Sequence, residues 1–585
     1  MLLIFQSKLI PSSQTSHFSS FLWNGLALLI VVTEVTLLVW GSWQMAAPFI
    51  ISESLPLSLD PQNLPYYALQ TILRMLFALF LSIVFSFIYA TIAAKNRKAA
   101  RILIPILDIL QSVPILGFLA VTVTGFIALF PGSLFGVECA AIFAIFTSQA
   151  WNMAFSLYQS FITVPKELNE VATLYRLSPW RRYWRLEVPY ATPQFLWNVM
   201  MSVSGGWFFV VASEAITVSN HTILLPGIGS YIALAAQEES VTAIFYAIVT
   251  MIIVILLYDQ LLFKPLLAWS YKFKAELVAQ EDTPKSWVLT MIRKAFILQI
   301  LKVFWLTVLG ILDTFFQKLS LLSVKIKEDN ATFSQMIGKI TKYSLYLILL
   351  FVFIFYSSQA YFYVFSRTSF EEVYYVVFLG FLTLLRVIIF CAIASLIWVP
   401  IGVFIGLREK FARRAQAWVQ LLAAFPANLF FPLVVLFIVK NDLNPNFWLS
   451  PLIILGSQWY ILFNVIGGAA DLPFDFQELS KVFYLKGWIQ WKRIFLPGIF
   501  PAYITGLVTA AGGAWNASIV AEYVTWGNIT LEAKGLGSYI AAATASGDHT
   551  KIFLGVIVLS VYVLIINRLL WYPLYRYVAA RYSLD

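Results

Sequence analysis

Apolar runs of twenty or more residues recur along the whole chain, and runs of that length decide the solvent in which it folds. A helix needs roughly 20 apolar residues to cross a bilayer. In hydrocarbon every backbone N–H and C=O must be satisfied within the protein, so only helices and closed barrels can span. A barrel would show alternating segments of about ten residues instead of long runs. The pattern therefore specifies an all-α integral membrane protein. Of the 585 residues, 60% are hydrophobic and only 12% charged. Soluble domains average about 45–50% and 25%. A soluble enzyme, a disordered chain and a secreted disulfide scaffold are excluded. A single core rarely grows past about 250–300 residues, so two units are expected.

Twelve spans are read, near 21–43, 66–94, 102–130, 137–162, 190–218 and 242–264, then 343–365, 373–407, 415–440, 447–470, 498–526 and 552–573. The first run is too long for the apolar region of a signal peptide and is taken as a retained span. With both termini cytoplasmic, 33 Lys and Arg fall in inside segments and four in outside loops (Arg367, Lys440, Lys534 and Lys551). That asymmetry supports the orientation and assigns the net charge of +10 to the positive-inside rule instead of nucleic-acid binding. Segment 287–323 is apolar in places but broken by Arg293, Lys294, Lys302, Asp313 and Lys318, and reads as an amphipathic stretch at the interface. Cys139 and Cys391 lie inside apolar runs, and His17, His221 and His549 are scattered. Neither a disulfide framework nor a metal centre is expected.

The chain repeats itself. Thr71-Ile-Leu-Arg74 matches Thr383-Leu-Leu-Arg386, and Pro114 matches Pro426, both 312 residues on. Ser148-Gln149 matches Ser457-Gln458 at 309. Pro165, Glu170, Pro189, Trp207, Glu214 and Gly229-Ser-Tyr-Ile-Ala233 match at 308. Six spans separate equivalent points, so the halves share one orientation and are related by a pseudo-two-fold axis along the membrane normal. Such an axis encloses a central pathway. The expected units are a first half at 1–264 (core 66–264), a linker at 265–342 and a second half at 343–585 (core 373–573).

Between the fourth and fifth spans of each half lies a loop of constant design. The first runs Pro165-Lys-Glu-Leu-Asn-Glu170-Val-Ala172-Thr-Leu-Tyr-Arg176-Leu-Ser-Pro-Trp180 and on to Pro189. The second runs Pro473-Phe-Asp-Phe-Gln-Glu478-Leu-Ser-Lys-Val-Phe-Tyr484-Leu-Lys-Gly487-Trp488 and on to Pro497. Proline near a helix start costs no hydrogen bond. A short amphipathic helix, a turn, an aromatic and basic segment and a second proline follow. A short helix held at both ends along the membrane is a surface another protein can push on.

This loop resembles the EAA loop of ABC-importer permeases, a motif of Glu-Ala-Ala, three residues, Gly, and a Pro nineteen residues after the Glu. Glu170 to Pro189 and Glu478 to Pro497 keep that spacing, whereas Arg176 and Tyr484 stand where the motif has Gly, and Leu479-Ser480 replaces the second Ala-Ala. Leu110-Gln-Ser-Val-Pro114, Gly205-Gly-Trp207 through Glu214 and Leu225-Pro-Gly-Ile-Gly-Ser-Tyr231 are similar to the nitrate/sulfonate/taurine/bicarbonate branch, including its permeases duplicated in one chain. The resemblance implies a bacterial inner-membrane permease for a small anion. It implies ATPase subunits (two copies or a heterodimer) docked on Glu170, Ala172, Arg176, Trp180, Glu478, Tyr484, Gly487 and Trp488. It also implies a periplasmic or lipoprotein solute-binding protein. No phosphate-binding Gly-rich motif ending in Gly-Lys-Ser/Thr occurs, so no nucleotide site, catalytic group or cofactor is expected on this chain. A secondary transporter with two six-helix halves is the alternative, and would need intramembrane ion-coupling residues.

Polar residues inside spans mark the pathway or helix contacts. Gln111 and Ser112 align with Ala423 and Ala424 in the repeat, so half one is expected to supply most polar contacts. Arg74 and Arg386 sit at outer helix ends, to attract an anion or to snorkel. Glu214 lies 24 residues along a span entering near 190, roughly 36 Å at about 1.5 Å per residue, beyond a hydrocarbon core of about 30 Å. Glu214 and Glu522 are therefore expected at the outer rim, bracing a gate through backbone N–H groups of the following loops. Trp207 and Trp515 are expected nearer the pathway.

Overall fold

The computed structural model describes residues 57–273 apart from 113, 219 and 220, then 286–294, 368–470 and 482–582, with isolated positions elsewhere. The expected spans 21–43 and 343–365, most of the 265–342 linker and Glu478 lie outside the described residues.

Half one runs through α1 (Leu64–Lys95), α2 (Arg97–Ser112), α3 (Ile115–Leu129), α4 (Phe135–Ile162), the short α5 (Lys166–Leu174) and α6 (Val188–Glu214). A hairpin of β1 (Ala215–Val218) and β2 (His221–Leu224) follows, then α7 (Ile228–Gln237) and α8 (Val241–Tyr258). The linker contributes α9 (Trp287–Lys294). Half two has α10 (Phe370–Gly406), α11 (Glu409–Ala424), α12 (Phe431–Lys440), α13 (Gln458–Ala470) and α14 (Leu496–Ala521). It then has β3 (Tyr523–Trp526), β4 (Ile529–Glu532), α15 (Leu536–Ser546), α16 (His549–Ile566) and α17 (Tyr572–Tyr582).

Seven helices among the described residues are long and apolar enough to cross a membrane, or up to nine if each bent pair is one span. Span 102–130 is not one helix. Pro114 adopts an extended conformation (φ −66°, ψ 121°) and separates amphipathic α2 from α3. Its counterpart bends by 72° between Trp418–Ala424 and Ala427–Lys440, at Pro426. Proline lacks an N–H and displaces its predecessor from helical space, which breaks both spans at the same place.

The sequence repeat recurs in the backbone to the residue. Helical segments with i→i+5 bonds occupy Tyr183–Glu187 and Trp491–Phe495, and again Asp259–Phe263 and Asn567–Trp571. The hairpins pair antiparallel in equivalent register, with Ala215 opposite Leu224 and Tyr523 opposite Glu532. Among the described residues these two hairpins are the strand pairs that depart from an all-α reading. Ile216, Thr217, Val218, Thr222 and Ile223 are β-branched, which favours extended backbone. One apolar core, from Leu64 to Leu559, takes in both halves.

Candidate functional site

Three places bring the chemistry together: the loop after α4, a buried ion cluster beside the hairpins, and a cavity between the halves.

The loop helix α5 begins after Pro165. Glu170 is exposed, and Ala172 is buried and anchors the helix. Arg176 ends it in the left-handed conformation, φ 48°, and Leu177 N–H closes back on Ala172 O at 3.0 Å. That is the helix stop a glycine normally supplies, because any side chain costs free energy at positive φ. Tyr484 holds the same conformation in half two, φ 51°. The two positions where the motif would have Gly are thus where the backbone calls for one. Ser178 Oγ then accepts the Arg181 N–H, and Trp180 packs edge-on to Trp184 at 5.7 Å. Arg182 donates to Asn169 Oδ1 at 2.8 Å, and Lys95 of α1 pairs with buried Glu187 at 2.5 Å, so the loop is clamped from both sides. Gly487, at φ 61°, opens the matching turn of half two, with Trp488 exposed. Sequence reasoning missed the apolar surface these loops carry. Leu174 and Tyr175 are 80% and 73% exposed, and Val482, Phe483, Tyr484 and Trp488 are 68–83% exposed. Exposed apolar patches of this kind mark contact with another protein or with the membrane.

At the other end of the bundle, Glu214 is the last residue of α6 and is fully buried. Its carboxylate accepts from Thr71 Oγ1 (2.7 Å), Arg74 Nη1 (2.8 Å) and the Gly229 N–H (2.7 Å). Arg74 also donates to both oxygens of Glu138, at 2.6 and 2.7 Å, and to Pro226 O at 2.9 Å. The captured N–H groups at Ile228 and Gly229 belong to the start of α7, where the helix dipole favours negative charge. Half two repeats the design. Glu522 accepts from Thr383, Arg386 (2.8 Å) and the Gly537 N–H (2.8 Å). The arginines therefore do not snorkel; each holds the glutamate at the end of the long helix, and that glutamate in turn accepts an N–H from the start of α7 or α15. Glu138 was overlooked in sequence because nothing in half two matches it.

The cavity, about 90 Å³, lies between α6 and half two. Ser204, Gly205 and Phe208 meet Ser457, Tyr460 and Asn516 there. Ser457 Oγ is buried and has no hydrogen-bond partner among the described residues. The break of each half touches the fifth span of the other: the Ile115 N–H donates to Asn516 Oδ1 at 2.8 Å, and Asn428 Nδ2 donates to Phe208 O at 3.3 Å. Residues 208 and 516 are repeat equivalents. Sequence expectation put the polar contacts mainly in half one, whereas three of the four polar side chains at the cavity are from half two. Gln111 instead donates to Asn152 within its own half, at 2.8 Å, and the Ser112 side chain lies outside what is described. Trp207 and Trp515 lie in the core, against Tyr258 and Tyr562 respectively, and away from the cavity lining. Their bulk is best satisfied by packing inside each half. Among the described residues no group of three His, Cys, Asp or Glu could hold a metal.

A duplicated helical bundle, with a cavity on the junction and paired loop surfaces at one end, defines a membrane transport permease. The chain belongs to the family of binding-protein-dependent transport system inner membrane components, matched twice, at residues 82–263 and 398–583. It is similar to the nitrate import permease protein NrtB of Leptolyngbya laminosa, 25% identical over 187 residues, which is 32% of this chain and 63% of that protein. It is similar to the bicarbonate transport system permease protein CmpB of Synechococcus elongatus, 26% identical over 30% of this chain and 60% of that one. The putative aliphatic sulfonates transport permease protein SsuC of Bacillus subtilis is 24% identical over 29% and 59%. The chain thus spans about 60% of the length of these relatives.

Proposed function

We propose that this chain is the membrane permease of an ATP-driven importer for a small anion, two permease halves being joined in one polypeptide. The observation that carries the reading is the exposed apolar surface of the two repeat-related loops, Leu174 and Tyr175 in one and Val482 to Tyr484 with Trp488 in the other. Each has a left-handed helix stop at the same repeat position. Two such surfaces suit two ATPase subunits, whose closure on ATP would push both loops together and switch the pathway between outward and inward access. Solute would arrive from a binding protein at the hairpin end, outside the cytoplasm, and ATP would be hydrolysed on the ATPase subunits. The anion class rests on the nitrate, bicarbonate and sulfonate permeases to which the chain is similar. A secondary transporter is disfavoured, because the buried acids of the hairpin-end clusters are already held by arginine and backbone N–H groups. Coexpression with a candidate ABC ATPase and purification from the membrane tests the proposal. The two proteins should copurify, and nitrate, bicarbonate or sulfonate uptake should require ATP. Uptake driven by an ion gradient without ATP would overturn it.

A further inference from the structure

Arg74 and Arg386 stand at the same position of the repeat, 312 residues apart, yet their guanidinium groups are not equally satisfied. Arg74 spends Nη1 on Glu214 and Pro226 O, and Nε and Nη2 on the two oxygens of Glu138. Its side chain is wholly shut off from water. Arg386 spends Nη1 on Glu522 at 2.8 Å, and its side chain is 13% exposed. No second carboxylate pairs with it among the described residues. The repeat equivalent of Glu138 is Phe447, at the 309 offset, and it is 67% exposed. The helix that carries Glu138 is continuous from Phe135 to Ile162, whereas its counterpart is bent by 40° between Pro445–Leu455 and Gln458–Ala470.

Two parallel N–H groups on a planar guanidinium match the two oxygens of a planar anion. The Glu138 carboxylate on Arg74 shows that geometry within this chain. Charge balance points the same way. Around Arg74 one cation holds two carboxylates, so an anion added beside Arg386 and Glu522 reproduces a balance the fold already tolerates. We infer that Nε and Nη2 of Arg386 form a binding site for a small planar monovalent oxyanion, standing where half one has Glu138. The site rests on this geometry, and its role as a station on the transport route rests on the anion-importer reading.

The test uses the full chain in nanodiscs of uncharged lipid. Sodium nitrate replaces sodium chloride at constant ionic strength while the thermal unfolding midpoint is followed. A saturable nitrate-specific rise is expected. Formate, also planar, should reproduce it, and tetrahedral perchlorate should not. Arg386→Lys keeps the charge but loses the fork, and should need about tenfold more nitrate or beyond for half the rise. No nitrate-specific rise, an equal rise with perchlorate, or an unchanged midpoint concentration in Arg386→Lys would each overturn the site. The wild-type anion series decides the matter even if that variant does not fold. ATP-driven nitrate uptake, measured alongside with the partner proteins, separates the two readings. Uptake without binding at Arg386 sinks the site and leaves the function, whereas binding without ATP-driven uptake of any anion does the reverse.

Discussion

Arg74 and Glu214, 140 residues apart in sequence, meet in a 2.8 Å ion pair from which water is excluded. The pair joins α1 to the end of α6, and through Gly229 to the start of α7. Removing one partner of a buried pair leaves an uncompensated charge, at about 3–5 kcal/mol. Arg74→Met strands two carboxylates and should lose at least that much. Arg386→Met strands only Glu522, beside a partly exposed site, and should lose less. Thermal unfolding of the two variants in detergent makes the comparison. Equal losses would show that Glu138 adds nothing to the half-one cluster.

The helix stops give a prediction of opposite sign. Arg176 and Tyr484 hold positive φ, where a side chain costs roughly 1–2 kcal/mol and glycine costs nothing extra in the folded state. Part of that gain is lost to the greater freedom of glycine in the unfolded chain, about 0.4–1 kcal/mol. Arg176→Gly and Tyr484→Gly should therefore stabilise slightly, by about 0.5–1 kcal/mol each. Arg176→Val should destabilise, since a β-branched residue fits that conformation worst. Unfolding midpoints decide, and a stabilising Arg176→Val would refute the strain argument.

The parts of this architecture visible in sequence are those that repeat. Constant offsets exposed the two halves, the loop and the paired glutamates, because one selection of residue types was applied twice. Hydropathy marked the apolar runs but not their breaks: at most nine of the ten expected spans that fall in the described residues pass as spans, and 102–130 is two shorter helices, although Pro114 and Pro426 were in plain view. A proline inside an apolar run can kink, cap or break a helix, and neighbouring contacts choose among these. The features that differ between halves were illegible. Glu138 has no repeat partner, so nothing drew attention to it. Tyr460 and Asn516 replace Trp151 and Phe208, and only the packing of α6 against half two brings them to one cavity. Trp207 and Trp515 match across the repeat and lie in the core away from the cavity lining, a placement that repeated spacing alone does not distinguish from one on the pathway.

Docking is tested at the loop. Glu170 is exposed on α5 beside Leu174 and Tyr175, where it is free to meet another protein. The Glu170→Lys/Glu478→Lys double variant should insert and fold normally but lose ATPase association, or leave hydrolysis uncoupled from uptake. Copurification and uptake are the readouts. Normal transport by the double variant would remove the docking assignment.

Topology is tested at Lys486, between the left-handed stop at Tyr484 and the turn at Gly487. In a background with Cys139 and Cys391 replaced by Ala, Lys486→Cys should resist an impermeant thiol reagent added to intact cells. It should react after permeabilisation. Labelling in intact cells would place the loops outside and invert the proposed orientation.

The cavity between the halves makes the last prediction. A Cβ on Gly205 would lie 2.9 Å from Tyr460 Oη, across the junction, whereas one on Gly512 would meet nothing within 4 Å. Both glycines lie inside long helices, so replacing either gains some helix propensity, up to about 1 kcal/mol. The difference between them is therefore steric. Gly205→Leu should fill the cavity and block transport, while Gly512→Leu should leave transport near normal. Tyr460→Phe removes the hydroxyl without changing the shape, and should weaken transport of a hydrogen-bonding anion while keeping the protein stable. Uptake is compared with thermal stability for all three. If Gly205→Leu transports normally in a folded protein, the solute does not pass between Gly205 and Tyr460. A Gly205→Leu variant that unfolds leaves Tyr460→Phe to decide whether the cavity's polar wall takes part.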